Sequence, residues 1–240
     1  FAESLVEQVG EEDSARLLRT WIDSFPESFK EDVPAGNAVS HLKILESLES
    51  QAPGAIKVSM YTPESPEDGT RRFTIYRVDS AITLSAVLPM LHDLGVEVID
   101  ERAYDLRRKG HPVAWVYDFG LRFDDSKAPE IDSLSERFCN TFMATWHGEV
   151  DSDPFNALVI QAGLSARNVG IIRAYAAYLR QAGTPFSQGY LQQVLLSNIN
   201  IVQLLVQLFA VRFDPELDQD RDAKQKQLVN KIDDALDAVA

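Results

Sequence analysis

The sequence predicts an α+β protein in which an antiparallel sheet, with helices on one face, is followed by an all-α helical domain. Two short segments, IKVSMY at 56–61 and RRFTIYRV at 71–78, alternate apolar and polar residues with the period of a half-buried strand. The segments on either side repeat apolar residues every three or four positions, which is the period of a helix face. After Asp125 this helical period continues to the end of the chain.

The first 55 residues carry two predicted helices. The first covers 4–24 and ends at Phe25-Pro26, because the residue before a proline is pushed out of the helical region. The second opens at Pro34 and closes at Pro53-Gly54. Its apolar stripe, which we expect to face a core, consists of Val39, Leu42, Leu45 and Leu48.

The middle of the chain predicts the rest of the sheet. A proline-rich and acidic stretch at 62–70 predicts an exposed loop after the first strand. A helix from Leu84 to Leu94 is ended by Gly95, and a third strand runs from Val96 to Arg107. The turn RKGHP then leads into a last strand, VAWVYDFGLRF. The helix residues expected to cover the sheet are Leu84, Val87, Leu88, Leu91 and Leu94.

Capping residues divide the C-terminal region into helices. Asp153 and Ser165 precede apolar periods and are expected to be N-caps, whose side chains accept hydrogen bonds from free backbone amides. Gly183 is expected to end the helix that Ser165 begins. The last helix, from Arg221, has a narrow apolar stripe on a charged surface and needs a partner surface to be stable. That stripe consists of Leu228, Ile232, Leu236 and Val239.

Composition and charge exclude several classes of partner. The net charge is −14, whereas nucleic-acid binding needs a basic footprint and anionic lipid repels an acidic protein. No apolar run is long enough to cross a bilayer. The single cysteine allows no internal disulfide, and no signal peptide is visible, so a cytoplasmic location is expected. The missing initial methionine is expected of a piece of a longer protein.

Motifs that would carry chemistry are incomplete. No glycine-rich phosphate loop occurs, so no nucleotide site is predicted. Cys139, His147 and Glu149 are the one mixed cluster. On one helix only Cys139 and His147 would share a face, and a zinc site needs three or four ligands, so a buried thiol and a helix-end histidine are expected instead. Glu149, Asp151 and Asp153 alternate, yet they lack the further positions of a calcium loop. Helix capping is their expected role.

Two other groups are expected to be structural. The basic run 107–109 beside His111 could hold an anion, but a solvated hairpin tip is the favoured interpretation. A set of aromatic residues is expected to lie in the core and to pack helices together, namely Tyr175, Tyr178, Tyr190 and Trp146. No catalytic, cofactor-binding or metal-binding residue is predicted.

Three stretches carry a resemblance to a known family. LSAVLPMLHDLGVEVIDERAY lies among the strands in an order that resembles an ACT-like domain. Together with FNALVIQAGLSARNVGIIRAYAAYLRQAGTPFSQGYL and LFAVRFDP, it resembles the large bacterial NAD-specific glutamate dehydrogenases, in the region upstream of their catalytic domain. The resemblance covers residues 5–215.

The resemblance implies a division of the chain and a parent activity. An N-terminal helical segment would cover 1–55, an ACT-like α+β domain 56–125, and a helical domain leading toward an absent catalytic domain 126–240. The parent enzyme would oxidatively deaminate L-glutamate to 2-oxoglutarate and ammonia with NAD. The fragment itself would hold no cofactor. Its partners would be its own catalytic domain and the sister subunits of a homo-oligomer.

The alternative is a regulatory module that binds an amino-acid effector. Ligand-binding ACT domains place a glycine in the strand-to-helix loop, so that backbone amides can approach the ligand carboxylate. The candidate effector loop here has no glycine and consists of Val78, Asp79, Ser80, Ala81, Ile82 and Thr83. Side chains at these positions obstruct that approach, which favours a structural role. As a third possibility, 1–55 and 126–240 form an independent protein-interaction module.

Overall fold

The computed structural model describes residues 2–52, 54–63, 70–123, 131–217 and 220–239. The chain forms two compact units, the first comprising Phe1–Val87 and Val98–Arg122 and the second Leu88–Glu97 and Phe123–Ala240. Three of the predictions, for Pro53, for most of the loop at 62–70 and for the boundary at 125, fall outside the described residues.

Four helices precede the sheet in the first unit. They are α1 (Ala2–Val9), α2 (Glu11–Trp21), α3 (Glu27–Asp32) and α4 (Ala35–Glu49). The prediction of one helix over 4–24 is wrong, because Gly10 adopts a φ of 84° and separates α1 from α2. The sequence does not predict α3, since its six residues are too few to show a period.

The sheet has four strands in the spatial order β1-β2-β4-β3. They are β1 (Ile56–Tyr61), β2 (Thr70–Val78), β3 (Glu97–Leu106) and β4 (Ala114–Arg122). The central strand β2 pairs antiparallel with both β1 and β4, so that Ile75 lies opposite Val58 and Tyr117. The predicted fold class, an α+β protein with an antiparallel sheet, is confirmed.

The core of the first unit lies between the N-terminal helices and one face of the sheet. Trp21, Phe29 and Leu42 from the helices are buried together with Tyr76 and Val116, which are cross-strand partners. The predicted stripe of α4 belongs to this core. The helical segment and the sheet therefore bury their apolar surface against each other, which stabilises both.

Helix α5 (Leu84–Asp93) begins directly after Thr83, so Pro89 lies inside it. Gly95 follows with a φ of 78°, as a helix-ending glycine requires. Val87, Leu91 and Leu94 are buried, but Leu84 and Leu88 are exposed. The prediction that Leu84 and Leu88 cover the sheet is therefore wrong, since the buried stripe of α5 is narrow.

The second unit is helical. It contains α6 (Ile131–Trp146), α7 (Leu158–Gln161), α8 (Ala166–Gln181), α9 (Gln188–Ser197), α10 (Ile199–Phe213) and α11 (Arg221–Asp237). Both predicted caps are confirmed: Asp153 accepts a hydrogen bond of 3.0 Å from the Phe155 amide, and Ser165 one of 3.3 Å from the Asn168 amide. The residues after Asp153 form a 3₁₀ turn, Pro154–Ala157, before α7 begins.

Helix α11 finds only part of the partner surface that its stripe needs. Leu228 and Ile232 pack against Leu204 of α10. Leu236 and Val239 continue the stripe but are 50% and 55% exposed. Among the described residues, no single helix has the length and apolarity to cross a membrane, although α9 and α10 together, bent by 98°, pass that test as a pair.

Gly95→Ala should destabilise the second unit more than a matched glycine substitution does. Both Gly95 and Gly183 have positive φ, so alanine at either position costs about 1–2 kcal/mol. At Gly95 the added Cβ would also lie 2.8 Å from the Cβ of Ala157, whereas nothing lies within 4 Å at Gly183. The steric clash adds about 1–3 kcal/mol. Equal losses in thermal melting of Gly95→Ala and Gly183→Ala would contradict this packing.

Candidate functional site

The candidate effector loop, Val78 to Thr83, is held by its own unit. The Asp79 amide donates to the Val113 carbonyl at 2.9 Å, and the Ile82 amide donates to the Tyr117 hydroxyl at 2.9 Å. Two amides that could approach a ligand carboxylate are thus already bonded. Asp79 has a φ of 85°, a left-handed conformation that favours glycine. The loop therefore keeps a glycine-type backbone although no glycine is present.

A cavity of about 300 Å³ lies beside the first residues of the loop. Its charged and titratable lining consists of Glu49, Asp79 and His111, with Val78 and Leu48 among the apolar lining. Among the residues that the structure describes, no lysine or arginine side chain lines it. An amino acid's carboxylate would thus meet two acidic side chains and would lack a cationic partner, so the cavity is poorly matched to that group.

Arg108, from the turn that precedes His111, is paired inside the first unit. The Arg108 guanidinium forms an ion pair with Glu49 and lies 3.6 Å above the ring of Trp21. Its side chain is only 2% exposed, and burial lowers its pKa. The prediction of a solvated hairpin tip is therefore wrong for Arg108, whose place in the turn directs it into the core rather than to solvent.

A second charged group lies on the helix-covered face of the sheet. Asp118 of β4 accepts hydrogen bonds from Arg72 Nε at 2.9 Å and from the Thr74 hydroxyl at 3.0 Å. Arg72 also reaches Asp100 at 2.7 Å. Burial raises the pKa of Asp118, and the hydrogen bonds from Arg72 oppose that rise. Gly120 makes room for this arrangement, since a Cβ there would lie 2.9 Å from both Arg72 and Asp100.

A hydroxyl links the helices to the sheet. The oxygen of Tyr76 lies 2.7 Å from His41 Nδ1 and 3.0 Å from the Ser59 hydroxyl. Burial lowers the pKa of His41 to about 4 and raises that of Tyr76, so both are neutral at physiological pH. Neutral groups that are hydrogen bonded in this way serve packing rather than acid–base chemistry.

These polar residues were missed by sequence reasoning, although a signal exists. Thr74, Tyr76 and Asp118 occupy positions of β2 and β4 at which a strand that faces a core would carry apolar side chains. Polar side chains at such positions indicate a buried network. The sequence gives no comparable signal for Tyr117, because an aromatic residue is ordinary in a strand.

The other sequence candidates are structural where the structure describes them. Burial raises the pKa of Cys139 to about 12, as expected of an inert thiol. Asp153 binds Arg173 through hydrogen bonds of 2.8 and 3.0 Å while it caps the 3₁₀ turn. In the described ranges, no group of three or more histidine, cysteine or acidic residues could hold a metal ion.

The aromatic residues of the second unit depart from prediction. Tyr175, Tyr178 and Tyr190 are 47%, 66% and 50% exposed, so the prediction that they are core residues is wrong for them. They follow the same helical period as the core, but they lie beside the buried stripe of α8 and at the start of α9. Periodicity alone does not separate a core edge from an exposed apolar surface.

Comparison with known proteins identifies the family. Three family models match: Glutamate dehydrogenase, helical motif 2 at residues 4–48; Glutamate dehydrogenase, ACT3 domain at 55–134; and Glutamate dehydrogenase, helical motif 3 at 150–215. The chain belongs to the NAD-specific glutamate dehydrogenase family. It resembles a non-catalytic region of these enzymes that contains an ACT-like domain.

Three curated proteins named NAD-specific glutamate dehydrogenase are similar to this chain. The protein of Halomonas elongata is 37% identical over 210 residues, which are 88% of this chain and 13% of that protein. The Pseudomonas aeruginosa protein is 32% identical over 242 residues, at 100% and 15% coverage. The Mycobacterium tuberculosis protein is 34% identical over 197 residues, at 80% and 12% coverage. The chain thus spans less than a sixth of the relatives' length.

The stability of this glutamate dehydrogenase region should fall in acid because of His41. Its pKa is about 4 when folded and about 6.5 when exposed, so the unfolded chain binds the extra proton. The contribution is fully present above pH 6.5 and is lost as pH falls toward 4, by about 3 kcal/mol. Chemical unfolding between pH 4 and 7 measures this slope. His41→Gln should flatten it and exposed His92→Gln should not; an unchanged slope in His41→Gln would refute the assignment.

Asp79→Gly should stabilise the candidate effector loop. Glycine adopts the φ of 85° without the strain of a side chain, and this outweighs its greater freedom in the unfolded chain by up to about 1 kcal/mol. Ser80 does not have a positive φ, so Ser80→Gly should instead lower stability by about 0.5–1 kcal/mol. Thermal melts of the two variants test whether their stabilities change in opposite directions. The same sign of change in both would contradict the loop conformation.

Proposed function

We propose that this chain is a non-catalytic structural region of an NAD-dependent glutamate dehydrogenase, which serves domain packing and oligomer assembly. The parent enzyme would oxidatively deaminate L-glutamate to 2-oxoglutarate and ammonia in the cytoplasm. NAD and the reacting groups would then be held by a catalytic domain elsewhere in the polypeptide. Its partners would be that catalytic domain and the sister subunits.

The observation that carries this proposal is that two backbone amides of the candidate effector loop are already hydrogen bonded within the first unit. Asp79 and Ile82 use their amides within the unit, and the adjoining cavity offers carboxylates where an amino-acid carboxylate needs a cation. Two buried arginines of the first unit are paired with acidic residues: Arg72 with Asp118 and Asp100, and Arg108 with Glu49. A module whose polar groups bind one another supports a packing role better than a sensing role.

The regulatory alternative has one observation in its favour. The cavity of about 300 Å³ is at the lower end of the volumes that hold small ligands. A ligand there would be recognised through its ammonium group by Glu49 and Asp79. This alternative requires an effector whose carboxylate remains in solvent.

Calorimetry with a panel of the common amino acids separates the two roles. Under the structural proposal, saturating amino acid gives no binding heat and no shift in melting temperature, since a ligand that binds only the folded state would raise it. Asp79→Asn is the control for any heat that does appear, because asparagine tolerates the left-handed conformation while it removes the charge. Heat that Asp79→Asn abolishes would establish the regulatory role.

The full-length enzyme tests the structural role directly. Deletion of 56–125 should disrupt its assembly, as measured by mass photometry, whereas Asp79→Asn should leave both assembly and activity unchanged. Circular dichroism shows whether the deleted protein still folds. A folded deletion variant that assembles and reacts like the intact enzyme would overturn the proposal.

A further inference from the structure

An apolar surface without an assigned role lies in the second unit. Two adjoining cavities of about 330 and 510 Å³ run along α8 and α10 and share the side chains of Tyr175 and Phe209. Val194 of α9 lines the first and Tyr178 the second. We call this surface the aromatic groove. Surfaces of this kind mark contacts with other proteins, since monomers seldom expose large contiguous apolar patches.

The composition of the aromatic groove is that of an interface centre. Tyr178 is 66% exposed, and the rings of Tyr175 and Phe209 meet edge to face at 6.2 Å. Tyrosine, phenylalanine and arginine are enriched where binding energy is concentrated. Arg167 lines one cavity and Arg212 the other. Within the described part of the chain, neither guanidinium forms an ion pair. The groove therefore suits an apolar segment flanked by acidic side chains.

The chain itself carries such a segment. The C-terminal end of the chain exposes Leu236, in the last turn of α11, and Val239, in the turn that follows the helix. Asp233 and Asp237 flank them, and within the described residues these carboxylates form no ion pair. Their stripe is the continuation of the one whose first half packs on α10. Both the apolar side chains and the charges complement the aromatic groove.

The aromatic groove and the buried half of the α11 stripe both involve α10. Leu205 and Leu208 of α10 line the aromatic groove and at the same time pack against the Leu228 and Ile232 cluster. One helix therefore separates the two surfaces. In a dimer with two-fold symmetry, each chain's α11 would lie in the other chain's groove, so that the same contact would form twice.

We propose that the aromatic groove of α8, α9 and α10 receives the C-terminal turns of α11 from a second copy of this chain. This inference deepens the assembly role proposed above and rests on it. The acidic flanks of α11 meet Arg167 and Arg212, while Leu236 and Val239 enter between the aromatic rings. With a net charge of −14, two copies repel each other except where such a match brings opposite charges together.

Sedimentation velocity of the 240-residue chain over a range of concentrations tests the contact. We expect a monomer–dimer equilibrium that Leu236→Asp shifts at least tenfold toward monomer. Leu84→Asp is the matched control, since Leu84 is a similarly exposed leucine at 41% but lies in the first unit, and it should leave the equilibrium unchanged. Tyr178→Asp should act like Leu236→Asp, because it changes the other side of the contact.

A charge exchange adds a test that a folding defect cannot imitate. Arg167→Glu with Arg212→Glu should weaken the dimer, and adding Asp233→Lys with Asp237→Lys to the same chain should restore it. A chain that stays monomeric at every concentration would overturn the inference. So would a dimer that responds to Tyr178→Asp but not to Leu236→Asp, because the occupant would then be another segment. A monomeric chain beside a full-length enzyme that needs residues 56–125 for assembly would refute only the α11 contact.

Discussion

The hydroxyl of Tyr76 fixes how the helices of the first unit sit on the sheet. Its ring belongs to the helix–sheet core, so its hydroxyl must be hydrogen bonded inside that core or lose about 1–3 kcal/mol of desolvation. His41 of α4 and Ser59 of β1 supply the partners. Three elements distant in sequence thus meet at one oxygen atom. A slip of α4 by one turn would leave the hydroxyl buried without His41, which makes a single register much more stable than its neighbours.

The requirement that buried polar groups have partners also applies to the charged groups of the first unit. Two arginines with largely buried side chains are each paired with an acidic residue: Arg72 with Asp118, and Arg108 with Glu49. Removing one member of such a pair leaves the other charge buried and unpaired, which costs several kcal/mol. A charge that the fold requires in this way is not available to recognise an effector. The candidate effector loop is also bonded within the unit, because the amide of Ile82 donates a hydrogen bond to the Tyr117 hydroxyl.

The regular elements could be predicted from sequence because they depend on local patterns. The period of two in IKVSMY, the glycine at 95 and the cap at Ser165 each reflect a restriction that acts within a few residues, and the structure has all three. The break at Gly10 was missed because the apolar period continues across it. Position 79 shows a different limit, since an aspartate in a left-handed conformation is indistinguishable in sequence from an ordinary turn residue.

The site could be predicted less well than the fold, because burial is decided by partners distant in sequence. Arg108 reads as a solvent-exposed residue in a basic turn, and only the position of Trp21 and Glu49 shows that it enters the core. Tyr178 reads as a core residue on an apolar helix, yet α8 faces its own core with Val169 and Ile172 instead. The residues whose burial was wrongly predicted thus differ between the two units. The first buries charges and pairs them internally, whereas the second exposes aromatic rings, and exposed rings lower the free energy only when another apolar surface covers them. The exposed apolar surface that a protein partner could cover therefore lies in the helical unit, whereas the polar groups of the sheet are largely paired within their own unit.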